Sequence, residues 1–188
     1  IVRVSSLPMR ARYWLSVCRI SAAGRALEYG SGHGSNVLVC AGEEPGIQWD
    51  GADASPEQVR LSSEQAARMG LRCGFFVVPT DGDRHVGRAY DCVAVLDVLE
   101  HSAYPNAVLD DAERYVCPKG LILLTIPRWR GSAAVVGESK TDTTKAVAED
   151  MSHVNVTTLE DAVFFASRRG RVEEAVLLPP DSIEHRDM

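Results

Sequence analysis

The stretch Arg25-Ala26-Leu27-Glu28-Tyr29-Gly30-Ser31-Gly32-His33-Gly34 decides the fold. It opens as a short strand over Arg25–Tyr29, runs into three alternate glycines, and gives way at 35–41 to an apolar pattern suited to a helix. Glycines between a strand and a helix let the backbone turn tightly and approach a ligand closely. Asp53 follows nineteen residues after Gly34, at the end of the next apolar segment. A carboxylate so placed can accept hydrogen bonds from both hydroxyls of a ribose. A dinucleotide fingerprint, G-x-G-x-x-G, would need a third glycine where Ser35 stands; Gly34 instead completes G-x-G-x-G, which disfavours a pyrophosphate ligand.

Outward from this stretch, strands are predicted at 47–53, 73–78, 90–96 and 121–126. Helices are predicted at 7–22, at 35–41, from the Ser55 cap and Pro56 to Gly70, and at 105–116. The alternation implies right-handed βαβ crossovers, and the near-continuous apolar runs imply strands buried on both faces. The expected fold is therefore α/β, a doubly wound, mostly parallel sheet with helices on both faces. Thr157 and Glu160 form a capping-box pattern opening a further helix that Gly170 ends, before a strand at 172–178. The chain is expected to be a single domain over 1–188, with a lead-in helix at 1–24, a core at 25–127, a loop or lid at 128–156 and a terminal helix and strand at 157–188.

Composition narrows the function. With 188 residues, 45% hydrophobic and 24% charged, the chain can bury a core without disulfides or structural metal. A net charge of -6 argues against coating nucleic acid or an anionic membrane through the overall field. No apolar run reaches the roughly 18 residues a membrane helix needs, and the early arginines break any signal-peptide layout, so a cytoplasmic protein is expected. Cys18, Cys40, Cys73, Cys92 and Cys117 are odd in number, form no C-x-x-C pair and read as small buried hydrophobes in a reducing compartment. The chain begins at Ile1, which leaves processing and excision from a longer chain both open.

Four blocks in order, ALEYGSGHGS, GADASPEQV, YDCVAVLDVLEH and PKGLILLTIP, resemble the class I S-adenosylmethionine-dependent methyltransferases, with a Rossmann-like fold, over about residues 25–178. The resemblance implies S-adenosylmethionine as cofactor, with Glu28, Gly30, Ser31, Gly32 and Gly34 at its methionine part and the turn beneath. It assigns Asp53, with Ala54 beside it, to the ribose, and an acidic residue of Asp81-Gly82-Asp83 to the adenine, Asp81 lying nearer the strand end; those three residues read also as a solvated Asp-Gly turn. Asp97 would lie where the reactive methyl group sits. The family sheet ordinarily ends in an antiparallel hairpin, whereas only Pro179, Pro180 and a polar tail follow 172–178, so the closing seventh strand is expected to be missing, shortened or supplied from outside.

Methyl transfer from a sulfonium requires alignment and, for a hydroxyl acceptor, removal of a proton. His101 is the first candidate base and His153 the second, with Asp97 beside them; each histidine reads equally as a packing residue at a helix start. Asp97, Glu100, His101 and His153 also form a carboxylate and imidazole set that would suit a divalent metal. That set resembles the metal-dependent methyltransferases of ubiquinone precursors and of the 3'-terminal 2'-hydroxyl of small RNAs, but those usually carry Glu where Asp97 stands and metal-free members share the Leu99-Glu100-His101 tail, so a divalent metal is not favoured. No [D/N]-P-P-[Y/F] follows the fourth strand, which argues against a planar amine acceptor. A small-molecule acceptor or oxygen nucleophile is favoured over RNA. Alternatives from other classes are a catalytically silent binding or scaffold module of a larger chain or complex and an NAD(P)-binding oxidoreductase.

Overall fold

The structure is a computed structural model that describes residues 9–78 and 89–125, together with Ser167. In chain order it forms α1 (Met9–Ile20), β1 (Arg25–Tyr29), α2 (Ser35–Glu43), β2 (Gln48–Asp53), α3 (Pro56–Met69), β3 (Cys73–Val77), β4 (Tyr90–Leu96), a 3₁₀ turn (Leu99–His101), α4 (Pro105–Glu113) and β5 (Val116–Thr125). The five strands make one sheet in the order β3-β2-β1-β4-β5, and every described pairing is parallel. The order reverses between β1 and β4, which opens a crevice at their carboxyl ends, the place where ligands bind in open α/β sheets.

Side chains alternate across the sheet and feed two cores. Ala26, Cys92, Ala94 and Leu96 face a layer with Trp14, Leu15 and Cys18 of α1 and Val37 and Cys40 of α2. Leu27, Tyr29, Val93 and Val95 face the other way, onto Leu109 and Ala112 of α4 and onto Tyr115. Period-2 alternation with apolar residues on both faces is what a sheet covered on both sides requires. The five cysteines are free; Cys18, Cys40 and Cys92 are buried and Cys73 and Cys117 half-buried.

Local signals explain most boundaries. Ser55 caps α3 by accepting from the Gln58 amide, Pro56 stands at its first turn, and Gly70 ends it at φ 65°. The end of α4 and the start of β5 differ from expectation. The helix stops at Glu113 and β5 begins at Val116, five residues before the apolar run at Leu121. Tyr90 pairs with Val116 but Cys92 with Leu121, so residues 117–120 bulge out of the ladder. Pro118 sits in that bulge, where its missing N–H breaks no ladder bond, and Lys119 takes φ 70°. The second strand starts at Gln48, because the Ile47 amide turns back to the Glu44 carbonyl. The expected lid, the terminal helix apart from the helical Ser167, the terminal strand and the question of a seventh strand lie outside the described residues.

Candidate active site

The carboxyl ends of β1, β2 and β4 converge on the glycine turn. Gly30 and Ser31 both donate their amides to the Ala52 carbonyl, and Gly34 donates to the Ser31 carbonyl. The Gly32 amide donates to Asp53 Oδ2 at 2.7 Å, while Asp53 Oδ1 accepts the Ser55 amide at 2.8 Å. Four amides of the turn are therefore satisfied by the protein itself. A pyrophosphate needs such amides free to cradle its oxygens, so this geometry agrees with the sequence argument against a dinucleotide.

The three glycines serve different ends. A Cβ on Gly30 would lie 2.5 Å from Val98 Cγ2, so glycine there lets the end of β1 close against the segment after β4. Gly34 and Gly51 each lie where a Cβ would strike the Phe75 ring, at 2.5 and 2.6 Å. Gly34 thus supports the turn from beneath, packed on β3. At Gly32 (φ 50°) nothing among the described residues lies within 4 Å of a built Cβ, so they leave space open above the turn.

Glu28 is 2% exposed. Its Oε1 accepts from Asn36 Nδ2 at 2.7 Å, and its Oε2 is buried without a hydrogen-bond partner among the described residues. Burial pushes its pKa up to about 8, against the lowering influence of Asn36 and Arg10; Asp97 and Asp53 add to the rise. Ser31 is also buried, with its hydroxyl unpartnered among the described residues. Ala54 is exposed just beyond Asp53.

Asp97, directly after β4, has φ 52°, a left-handed backbone that is uncommon for a residue other than glycine. Thr125 at the end of β5 holds it: the Asp97 amide reaches the Thr125 carbonyl at 3.1 Å, and the Thr125 hydroxyl donates to Asp97 Oδ1 at 2.7 Å. Arg10 of α1 forms an ion pair with Asp97 Oδ2. His101 lies exposed in the 3₁₀ turn, its Nε2 3.9 Å from Glu100 Oε1. Glu100 is buried, on the same turn.

Glu28, Gly30, Ser31, Gly32, Asp53 and Asp97 are thus brought to a common crevice. Asp81, Gly82 and His153 lie outside the described residues. Among the described residues no three of His, Cys, Asp and Glu stand close enough to hold a metal ion, and Asp97 is engaged by Arg10 and Thr125. Sequence reasoning missed Arg10, Asn36, Ser62, Val98 and Thr125. Val98 and Thr125 lie inside recognised motifs and Asn36 adjoins one, but nothing local marks their contacts; Arg10 and Ser62 lie outside the motifs and meet the site through tertiary contact alone.

Comparison with known proteins adds to this geometry. Residues 27–122 match the family model described as a methyltransferase domain. A ubiquinone biosynthesis O-methyltransferase of Sinorhizobium medicae is 30% identical over 116 residues, covering 59% of this chain and 44% of that protein. The corresponding protein of Rhizobium johnstonii is 30% identical over 112 residues with the same coverage. The chain spans less than half the length of these curated relatives. Among solved structures, the YcgJ protein of Bacillus subtilis has a TM-score of 0.63 at 18% identity, covering 83% of this chain and 67% of that one. The plantazolicin methyltransferase BpumL in complex with SAH has a TM-score of 0.64 at 14% identity, covering 85% and 61%. These likenesses concern the fold. With more than half of its residues matched by the family model, around the same glycine turn and strand ends, the chain belongs to the methyltransferase domain family.

Proposed function

We propose that this chain binds S-adenosylmethionine at the crevice between β1, β2 and β4 and transfers its methyl group to an oxygen of a small-molecule acceptor. The observation that carries the reading is the coupling of Asp53 to the Gly32 amide. It leaves the carboxylate with acceptor capacity for ribose hydroxyls, beside a turn above which the described residues leave space open.

The charge of the crevice fits such a ligand. Three carboxyl groups, Glu28, Asp53 and Asp97, face one another closely enough to influence the Glu28 titration, with Arg10 as their nearby counter-charge. A cofactor carrying a sulfonium and an ammonium would be attracted there, and the buried, unpartnered Glu28 Oε2 would gain a cationic neighbour. A pyrophosphate would meet repulsion. Glu28, Gly30, Ser31, Gly32 and Asp53 would hold the cofactor, which supplies an electrophilic methyl group. Asp97, fixed by Thr125, would orient the acceptor, and the exposed His101 at the rim would take its proton. An oxygen acceptor is supported by the curated relatives being named O-methyltransferases.

Calorimetric titration with S-adenosylhomocysteine tests the reading. Binding is expected for the wild-type chain, with a loss of roughly 10- to 100-fold in Asp53→Ala from the charged hydrogen bonds removed. Failure of the wild type to bind, or undiminished binding by the variant, would remove the assignment. A chain that binds but methylates no member of an acceptor panel would favour the silent binding module.

A further inference from the structure

Ser62 and Ser63 are neighbours on α3 with opposite habits. Ser63 is exposed and its hydroxyl bonds back to the Val59 carbonyl of its own helix at 2.7 Å. Ser62 is 1% exposed, and its hydroxyl leaves the helix to donate to the Gly32 carbonyl at 3.1 Å. Gly32 is therefore gripped at both backbone groups, its carbonyl by Ser62 and its amide by Asp53 Oδ2. Asp53 Oδ1 accepts the amide of Ser55, and Ser55 is the N-cap of the helix that carries Ser62. The links close a ring: Asp53, Gly32, Ser62, α3, Ser55 and back to Asp53.

At Gly32 there is no side chain, φ is 50°, and a built Cβ would meet nothing within 4 Å among the described residues. Hydrogen bonds rather than side-chain packing hold that peptide in place. Beneath it, the Ser62 hydroxyl lies 3.0 Å from a built Cβ on Gly34, so Ser62 reaches the turn through a gap that only small residues leave. Each Asp53 oxygen has one bond from this ring, and a carboxylate offers about four acceptor sites, so roughly two remain for a ligand.

We propose that Ser62 is a positioning residue for ribose recognition: by holding the Gly32 carbonyl it fixes the turn whose amide orients Asp53 toward the two ribose hydroxyls. The proposal rests on the reading of Asp53 as the ribose carboxylate and adds a residue that does not itself touch the ligand.

The experiment measures binding of S-adenosylhomocysteine and of an analogue lacking both ribose hydroxyls, to the full chain and its variants. The wild type is expected to prefer the hydroxylated ligand. Ser62→Ala should reduce that preference by about three- to tenfold, in line with one buried hydrogen bond, while affinity for the analogue stays as it was. Ser62→Cys, which keeps a side chain there but donates weakly, should act in the same direction. In an Asp53→Ala background, Ser62→Ala should have no further effect on the preference. Equal losses for both ligands would show a merely structural role and overturn the proposal, as would a preference undiminished in both Ser62 variants. A wild type that binds the two ligands equally would instead overturn the reading of Asp53, and the proposal with it.

Discussion

At the scale of single residues, Glu28 carries the sharpest consequence of burial. A carboxyl in the unfolded chain titrates near 4.5, whereas in the fold burial raises Glu28 to about 8. Between those values the folded chain binds more protons than the unfolded one, so stability falls as pH rises from about 4.5 through about 8. Glu28→Gln keeps the acceptor for Asn36 and removes the titration. It is expected to flatten the decline in unfolding free energy over that window, measured by denaturant titration at a series of pH values; a variant whose decline matches the wild type would contradict this account. The same group links pH to binding. Below pH 8 a cationic ligand beside Glu28 should draw the carboxyl into its charged form and release a proton. Titration of S-adenosylhomocysteine in two buffers of different ionisation enthalpy should therefore give a buffer-dependent heat in the wild type and a buffer-independent heat in Glu28→Gln.

At the scale of elements, α1 is held by its apolar face and uses its start to reach the site. Trp14 and Trp49 meet edge to face, with centroids 4.8 Å apart and planes at 82°, and both are fully buried. Arg19 pairs with Glu44 near the end of the helix, and Arg10 pairs with Asp97 near its start. Trp14→Ala is expected to cost about 3–5 kcal/mol, the usual range for emptying an aromatic core site. Urea unfolding followed by circular dichroism would measure it, and a loss below about 1 kcal/mol would mean that α1 docks by other contacts. This helix was legible as an element, because Trp14, Leu15 and Cys18 share a helical face. Its partner was not, because nothing local joins Trp14 to Trp49. The β5 boundary was misread for a related reason: Pro118 and Gly120 look like a loop until the pairing of Val116 with Tyr90 shows a bulge inside a strand.

At the scale of the whole molecule, the alternation of strands and helices and the glycine turn carried the parallel sheet and the position of Asp53 at a strand end, because strands and helices repeat at regular intervals along the chain. What the sequence hid were the polar links across long separations, such as Ser62 to Gly32 and Thr125 to Asp97. Tyr90 and Asp50 form another. The Tyr90 hydroxyl donates to Asp50 Oδ2 at 2.8 Å, forty positions away, and Asp50 Oδ1 accepts from the Gly74 amide at 3.1 Å and from Gln48 Nε2 at 3.0 Å. Asp50 is 8% exposed, so each donor offsets the cost of keeping a carboxylate out of water. Tyr90 begins β4, at the opposite end of that strand from Asp97, which ties this network to the integrity of the sheet and separates it from the crevice. Tyr90→Phe should lower stability by about 1–3 kcal/mol, the cost of leaving a buried acceptor short of a donor, and depress the melting midpoint by roughly 2–12 °C. Affinity for S-adenosylhomocysteine should be unchanged at temperatures where the variant is folded. Thermal unfolding and calorimetry on the same preparation separate the two effects, and a parallel loss of affinity would mean that the sheet's interior network sets the geometry of the strand ends.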